Sequence, residues 1–229
     1  MAKHRFTAAQ KLSLAVIGAT VAAATFGSQA AYADTPPVTG QHGGSTLNNP
    51  AERSAPRARA QESRIQVTAD QVLAVARSQV GTSENSAGGG TPYQQWYAAS
   101  QRAAETIARD GGTPAGYLNA PWCAMFVSWV GEKTGARPQV GWDAYTVTHA
   151  KWFKANDRFG TLAKPGAVVF FAWDGSKSLD AIDHVGFVVK DNQNGTISTI
   201  EGNTGNGKVE ERVRPKSQVV GYGYPEYAS

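Results

Sequence analysis

The sequence predicts an α+β fold, with N-terminal helices packed on a C-terminal antiparallel sheet of about five strands. Two observations carry this expectation. Apolar residues recur at helical spacing before Lys164-Pro165-Gly166 and alternate with polar ones after it. The helices are also gathered ahead of the strands instead of alternating with them, which argues against a parallel α/β sheet.

The first helix starts at Thr68, where Thr68-Ala69-Asp70-Gln71 has the pattern of a capping box. It places Val72, Leu73, Val75, Ala76 and Val80 on one face and stops at Gly81. Glycines 88 to 90 form a loop, and Thr91-Pro92 opens a second helical stretch that ends at Gly111-Gly112. Its aromatics, Trp96 and Tyr97, read as core. A third helix begins at Pro121 and runs WCAMFVSWVGEKTG, with Phe126, Val127 and Val130 on its apolar side and Gly135 as its breaker. A fourth, from about Tyr145 to Ala155, carries Val147, Trp152 and Phe153. Strands follow at 167–173, 184–190, 196–201, 208–214 and 219–224, separated by Gly, Asn and Asp clusters.

Of the 229 residues, the first 33 read as a secretory signal peptide. Lys3, Arg5 and Lys11 precede an apolar run from Leu12 to about Phe26, and Ala31-Tyr32-Ala33 supplies a small-x-small cleavage pattern. The run is shorter than the roughly 20 residues needed to cross a bilayer. Cleavage after Ala33 removes three cations and no acid, lowering the formal charge from +4 to +1. No dense Lys/Arg stripe is left, which speaks against nucleic acid as a partner. Residues 34–64, rich in Pro, Gly, Asn, Ser and Ala with a single Leu, read as a disordered linker. Residues 65–229 form one domain, expected to act as a monomer with no membrane contact after signal cleavage.

The chain has one cysteine, Cys123, so an intramolecular disulfide is impossible. A thiol attacks as its thiolate, and a helix N-terminus offers unpaired N–H groups and the positive end of the helix dipole. Pro121 places Cys123 in that first turn. The same N–H groups suit the oxyanion of a tetrahedral intermediate. Of the four histidines, His4 and His42 fall outside the folded region, and His149 reads as an ordinary, partly exposed helical side chain. His184 opens the strand HVGFVVK, where an imidazole can be held rigidly as a base. A hairpin turning at Gln193 to Asn194 brings residues 201 to 203 beside it. Glu201 and Asn203 share strand parity, so either can orient the ring. Trp122, Trp129, Trp142, Trp152 and Trp173 are candidates for a groove wall, Trp122 first because it adjoins Cys123; core packing is the alternative for each.

In this order, PWCAMFVSWV, KPGAVVFF, IDHVGFVV and TISTIEGNTG resemble the CHAP family, the cysteine, histidine-dependent amidohydrolases/peptidases, over roughly residues 65–224. The resemblance implies a papain-like fold and cleavage of amide bonds in peptidoglycan, as an N-acetylmuramoyl-L-alanine amidase or as a stem or cross-bridge endopeptidase. It matches Cys123 to the nucleophile, His184 to the base, Glu201 to the orienting acid and Asn203 to a further polar member. Ala167 departs from the acid that often follows the Pro-Gly turn in such domains, outside the catalytic set. Some relatives bind calcium, but Asp174, Asp180 and Asp183 lack the one-three-five spacing of a calcium loop, so neither metal nor cofactor is expected. The expected location is extracellular and wall-associated. Two rival readings stay open: a non-catalytic wall-binding or interaction module on the same fold, and a secreted protease or transamidase acting on proteins.

Overall fold

A computed structural model of the chain describes residues 65–229. The expected signal peptide and linker lie outside the described residues. Helices α1 (Ala69–Ser78), α2 (Pro92–Ala98), α3 (Gln101–Asp110), α4 (Cys123–Thr134), α5 (Arg137–Val140) and α6 (Thr146–Ala155) come first. Strands β1 (Phe159–Gly160), β2 (Val168–Phe171), β3 (His184–Asp191), β4 (Thr196–Thr204), β5 (Lys208–Pro215) and β6 (Val219–Gly223) follow. They form one antiparallel sheet in the order β1-β6-β2-β3-β4-β5. The α+β expectation holds, and a papain-like description is compatible with it. The sixth strand, β1, is a two-residue pairing too short to leave a periodic trace in sequence.

The capping box at Thr68 forms as expected: the Gln71 N–H donates to Thr68 Oγ1 at 3.2 Å, and the Thr68 N–H to Gln71 Oε1 at 3.0 Å. The stretch expected as one helix from Thr91 is two. Ser100 is extended and its hydroxyl accepts from the Ala103 N–H at 3.1 Å, restarting the chain as α3. A serine that can satisfy a free N–H stabilises such a break.

Helix α4 is the axis of the domain. It is buried on nearly every side rather than along one stripe, because α1, α2, α5 and strands β3 and β4 all pack on it. The main core lies between helices and sheet and includes Leu73, Tyr93, Trp122, Phe126, Phe187 and Ile200. A smaller cluster containing Val169, Phe171, Val188, Ile197 and Tyr222 forms around other positions of the same strands.

The contact between α4 and β4 depends on Gly202. A methyl group there would stand 2.6 Å from Cβ of Phe126 and 2.8 Å from the Trp122 ring. Phe126 Cβ is fixed to the helix backbone, so relief requires α4 to back away from the sheet. Gly202→Ala is therefore expected to destabilise the domain by about 1 to 3 kcal/mol, as overpacked cores do. Urea unfolding followed by circular dichroism checks this, and an unchanged midpoint would show that the helix and sheet have slack.

Candidate active site

Cys123 is the first residue of α4, two positions later than Pro121 suggested, with Trp122 as N-cap. No side chain caps this end of the helix. Its leading N–H groups thus stay available beside the thiol, and the first intrahelical bond in the turn runs from the Phe126 N–H to Trp122 O at 2.9 Å.

His184 opens β3 opposite Phe171 on β2. Its ring centroid lies 5.1 Å from that of Trp173 and 6.0 Å from that of Phe171, and the residue is 5 % exposed. The Nε2 atom lies 2.9 Å from Glu201 Oε2. The Cys123 side chain neighbours the ring and favours its protonated form. Since Nε2 is taken by Glu201, Nδ1 is the ring nitrogen left to serve the thiol.

Glu201 is fully buried. Its Cα lies two residues along β4 from the position opposite His184, and the carboxylate reaches back across Gly186. A methyl group at Gly186 would stand 2.7 Å from Glu201 Cγ and 2.9 Å from the Ile200 carbonyl oxygen. Glycine in HVGF is thus the passage through which the acid reaches the imidazole.

Three donors besides the imidazole hold the acid. The Thr199 hydroxyl donates to Oε1 at 2.6 Å, Arg214 Nε to Oε1 at 2.9 Å, and Arg214 Nη2 to Oε2 at 2.6 Å. Burial alone would raise the Glu201 pKa; the bonds from Arg214 and His184 outweigh it and bring the group down to about 2. The carboxylate is therefore ionised and only accepts, which makes Nε2 the donor. Burial alone would lower the His184 pKa, but the neighbouring Cys123 and the hydrogen-bonded Glu201 outweigh it and raise it to about 9.

Asn203 takes a different position from Glu201. The β4–β5 register slips between Glu201 and Thr204, and Asn203 has a φ of +54°. This bulge breaks the parity the two residues were expected to share, as bulges near functional sites do. The acid lies behind the imidazole, while Asn203 lines the cleft in front of it with Cys123, Trp173, His184, Arg212 and Arg214. A second, more apolar arm of the cleft is lined by Tyr117, Met125, Ala144 and Tyr145. Pro121, Cys123 and Asp183 are common to both arms.

The expectation that Trp122 lines the cleft is corrected. Its ring is fully buried, stacked on Tyr93 at 5.2 Å, and its indole N–H donates to Glu84 Oε2 at 3.0 Å. Because an N-cap residue leads into the buried side of α4, adjacency to Cys123 did not mean exposure. Trp173 is the cleft aromatic instead: it is 42 % exposed, with Arg214 Cζ 4.9 Å from its ring centre. His149 is also corrected. It is buried, with Nε2 2.7 Å from the Val140 carbonyl oxygen.

Arg214 was missed. Its trace in sequence is the period-2 series Glu210, Arg212, Arg214, which sets charged side chains on the same face of β5. Asp174, Asp180 and Asp183 are engaged separately, with the Ser176 N–H, Lys151 and the Trp173 N–H respectively. Among the described residues no cluster of His, Cys, Asp and Glu is placed to hold a metal ion.

Residues 112–203 match the family model of the CHAP domain. Over this stretch the chain is similar to CHAP domains. The match contains Cys123, His184, Glu201 and Asn203 and ends before β5, so Arg214 lies outside it. CHAP domains form a peptidoglycan-related family of amidases and peptidases. No curated protein matches the chain.

The two shifted groups contribute to stability over opposite pH ranges. The raised His184 contributes stability that is complete below its ordinary 6.5 and is lost as pH rises through about 9. The lowered Glu201 contributes stability that is present above its ordinary 4.5 and is lost as pH falls through about 2. In an NMR titration the His184 ring should titrate near 9. In Glu201→Gln it should titrate clearly lower, and the loss of thermal stability on raising the pH from about 6.5 toward 9 should shrink. An unchanged titration in the variant would remove the acid from its assigned role.

Proposed function

We propose that this protein is a cysteine amidohydrolase that cleaves amide bonds in peptidoglycan. The observation that carries the reading is the imidazole of His184, which shares a cleft with the Cys123 thiol at the start of α4 and is held from behind by an ionised, buried Glu201.

In the proposed mechanism the Cys123 proton passes to His184 Nδ1, giving a thiolate beside an imidazolium. The sulfur attacks the amide carbonyl carbon, and the oxygen that gains charge is met by the free N–H groups at the start of α4, that of Cys123 first. His184 then gives its Nδ1 proton to the leaving nitrogen, the C–N bond breaks, and a thioester remains. Water, deprotonated by the now neutral imidazole, attacks the thioester carbonyl, and Cys123 leaves as a thiolate that recovers the pair. Throughout, Glu201 keeps the proton on Nε2 and fixes the plane of the ring. Asn203 faces the reacting groups from the cleft wall.

The shape of the cleft supports an extended substrate lying across the thiol. One arm offers Tyr117, Met125 and Tyr145, and the other Asn203, Arg212 and Arg214. Arg212, since Arg214 is committed to Glu201, suits a peptide that carries carboxylates, as peptidoglycan stems do. The scissile bond is then either the muramoyl-L-alanine amide or a peptide bond of the stem or cross-bridge. The signal-like residues 1–33 support action outside the cell, at the wall. Among the described residues no helix is long and apolar enough to cross a membrane.

Cys123→Ala is expected to lower solubilisation of purified peptidoglycan by more than about 10³-fold, with the circular dichroism spectrum nearly unchanged. Mass spectrometry of the wild-type fragments then names the bond through its new free amine. Lysis that survives the substitution would eliminate thiol catalysis, and cleavage of a protein substrate in preference to wall would favour a secreted protease.

A further inference from the structure

Where the two arms of the cleft meet, Asp183 stands with Pro121 and Cys123. It is the one acidic side chain among the residues that line either arm. The residue is exposed, and its Oδ2 accepts from the Trp173 N–H at 2.9 Å. Among the described residues nothing else bonds to the carboxylate and no cation pairs with it, so Oδ1 is open to a donor from outside. The basic side chains that line the cleft are turned to other acids. His184 and Arg214 hold Glu201, and Arg212 Nε lies 3.3 Å from Glu210 Oε2.

A carboxylate in this place works against thiol chemistry until a substrate arrives. The attack gathers negative charge first on the sulfur and then on the carbonyl oxygen, and a further negative charge beside them repels it. A substrate that brings its own cation to Asp183 cancels that repulsion and gains a charge-assisted hydrogen bond at Oδ1. The guanidiniums of Arg212 and Arg214 lie in the polar arm. They repel a substrate cation from there, which leaves the junction at Cys123 as the place that attracts one.

We propose that Asp183 is a specificity-determining residue that selects substrates carrying a primary ammonium group next to the amide that is cut. This rests on the peptidoglycan reading above and narrows it. The muramoyl-L-alanine amide has no amine beside it. Stem and cross-bridge peptides carry one, on the side chain of a diamino acid or at a free N-terminus. The charge pattern of the cleft therefore favours a peptide bond of the stem or cross-bridge over the amide that joins peptide to sugar.

The test compares muramidase-solubilised peptidoglycan fragments as isolated and after acetylation of their amines. The wild-type chain should cleave the untreated fragments at least about tenfold faster, by kcat/KM, than the acetylated ones. Asp183→Asn keeps an acceptor for the Trp173 N–H and loses only the charge, so in this variant the two rates should agree within about twofold. Free stem peptides acetylated only at the N-terminus or only on the side-chain amine then tell which amine is read. Binding is followed separately in Cys123→Ala through the NMR signal of the Trp173 backbone N–H, with untreated fragments expected to bind at least about tenfold more tightly than acetylated ones. Equal wild-type cleavage of both fragment sets, or a preference that survives in Asp183→Asn, would overturn the role of Asp183. A wild-type chain that cleaves neither set while Cys123→Ala still prefers the untreated fragments would uphold that role and refute the proposed function instead. Absence of both cleavage and binding preference would overturn both.

Discussion

A buried negative charge organises the end of this domain that carries Cys123 and His184. The Glu201 carboxylate is removed from water, and an unpaired ion in that position would cost several kcal/mol. Two cations compensate it, Arg214 from β5 and His184 from β3. The partner that faces outward is the one that meets Cys123. Ionisation of the acid, protonation of Nε2 and presentation of Nδ1 to the thiol are thus consequences of one electrostatic requirement. Backbone features serve the same arrangement. Gly186 clears the path of the carboxylate, the bulge at Asn203 frees a polar side chain for the cleft wall, and Gly202 lets α4 approach β4 closely enough to deliver the sulfur.

This arrangement divides labour between two layers. The helix contributes the sulfur and free N–H groups, which favour negative charge. The sheet contributes the imidazole and the charges that fix it. Neither layer holds the whole site, so stability of the helix-sheet contact and competence of the thiol are physically linked. An apolar arm and a more polar, arginine-lined arm of the cleft meet at Cys123.

Much of this was legible in the sequence, and the reasons differ by residue. Cys123 could be placed because proline and a following apolar run mark a helix start. His184 could be placed because strand alternation begins with it. Glu201 followed from hairpin pairing, but its role could not be separated from that of Asn203, since the bulge that divides them depends on a φ of +54° with no simple sequence signature. Trp122 was misread because proximity along the chain says nothing of which side of a helix start is buried. Arg214 was missed because its side chain reaches Glu201 from 13 residues away, across a register that pattern alone does not set. The short strand β1 and the break between α2 and α3 were hidden for a simpler reason: each is decided by one or two residues.

The reactivity of the sulfur tests most directly whether the imidazole serves it. Rates of alkylation of Cys123 by iodoacetamide, measured at pH 6 in the wild-type chain and in His184→Ala, should differ, with the wild type faster by at least about tenfold. Equal rates in the two proteins, with the variant still folded, would mean that the thiol and the ring do not act as a pair.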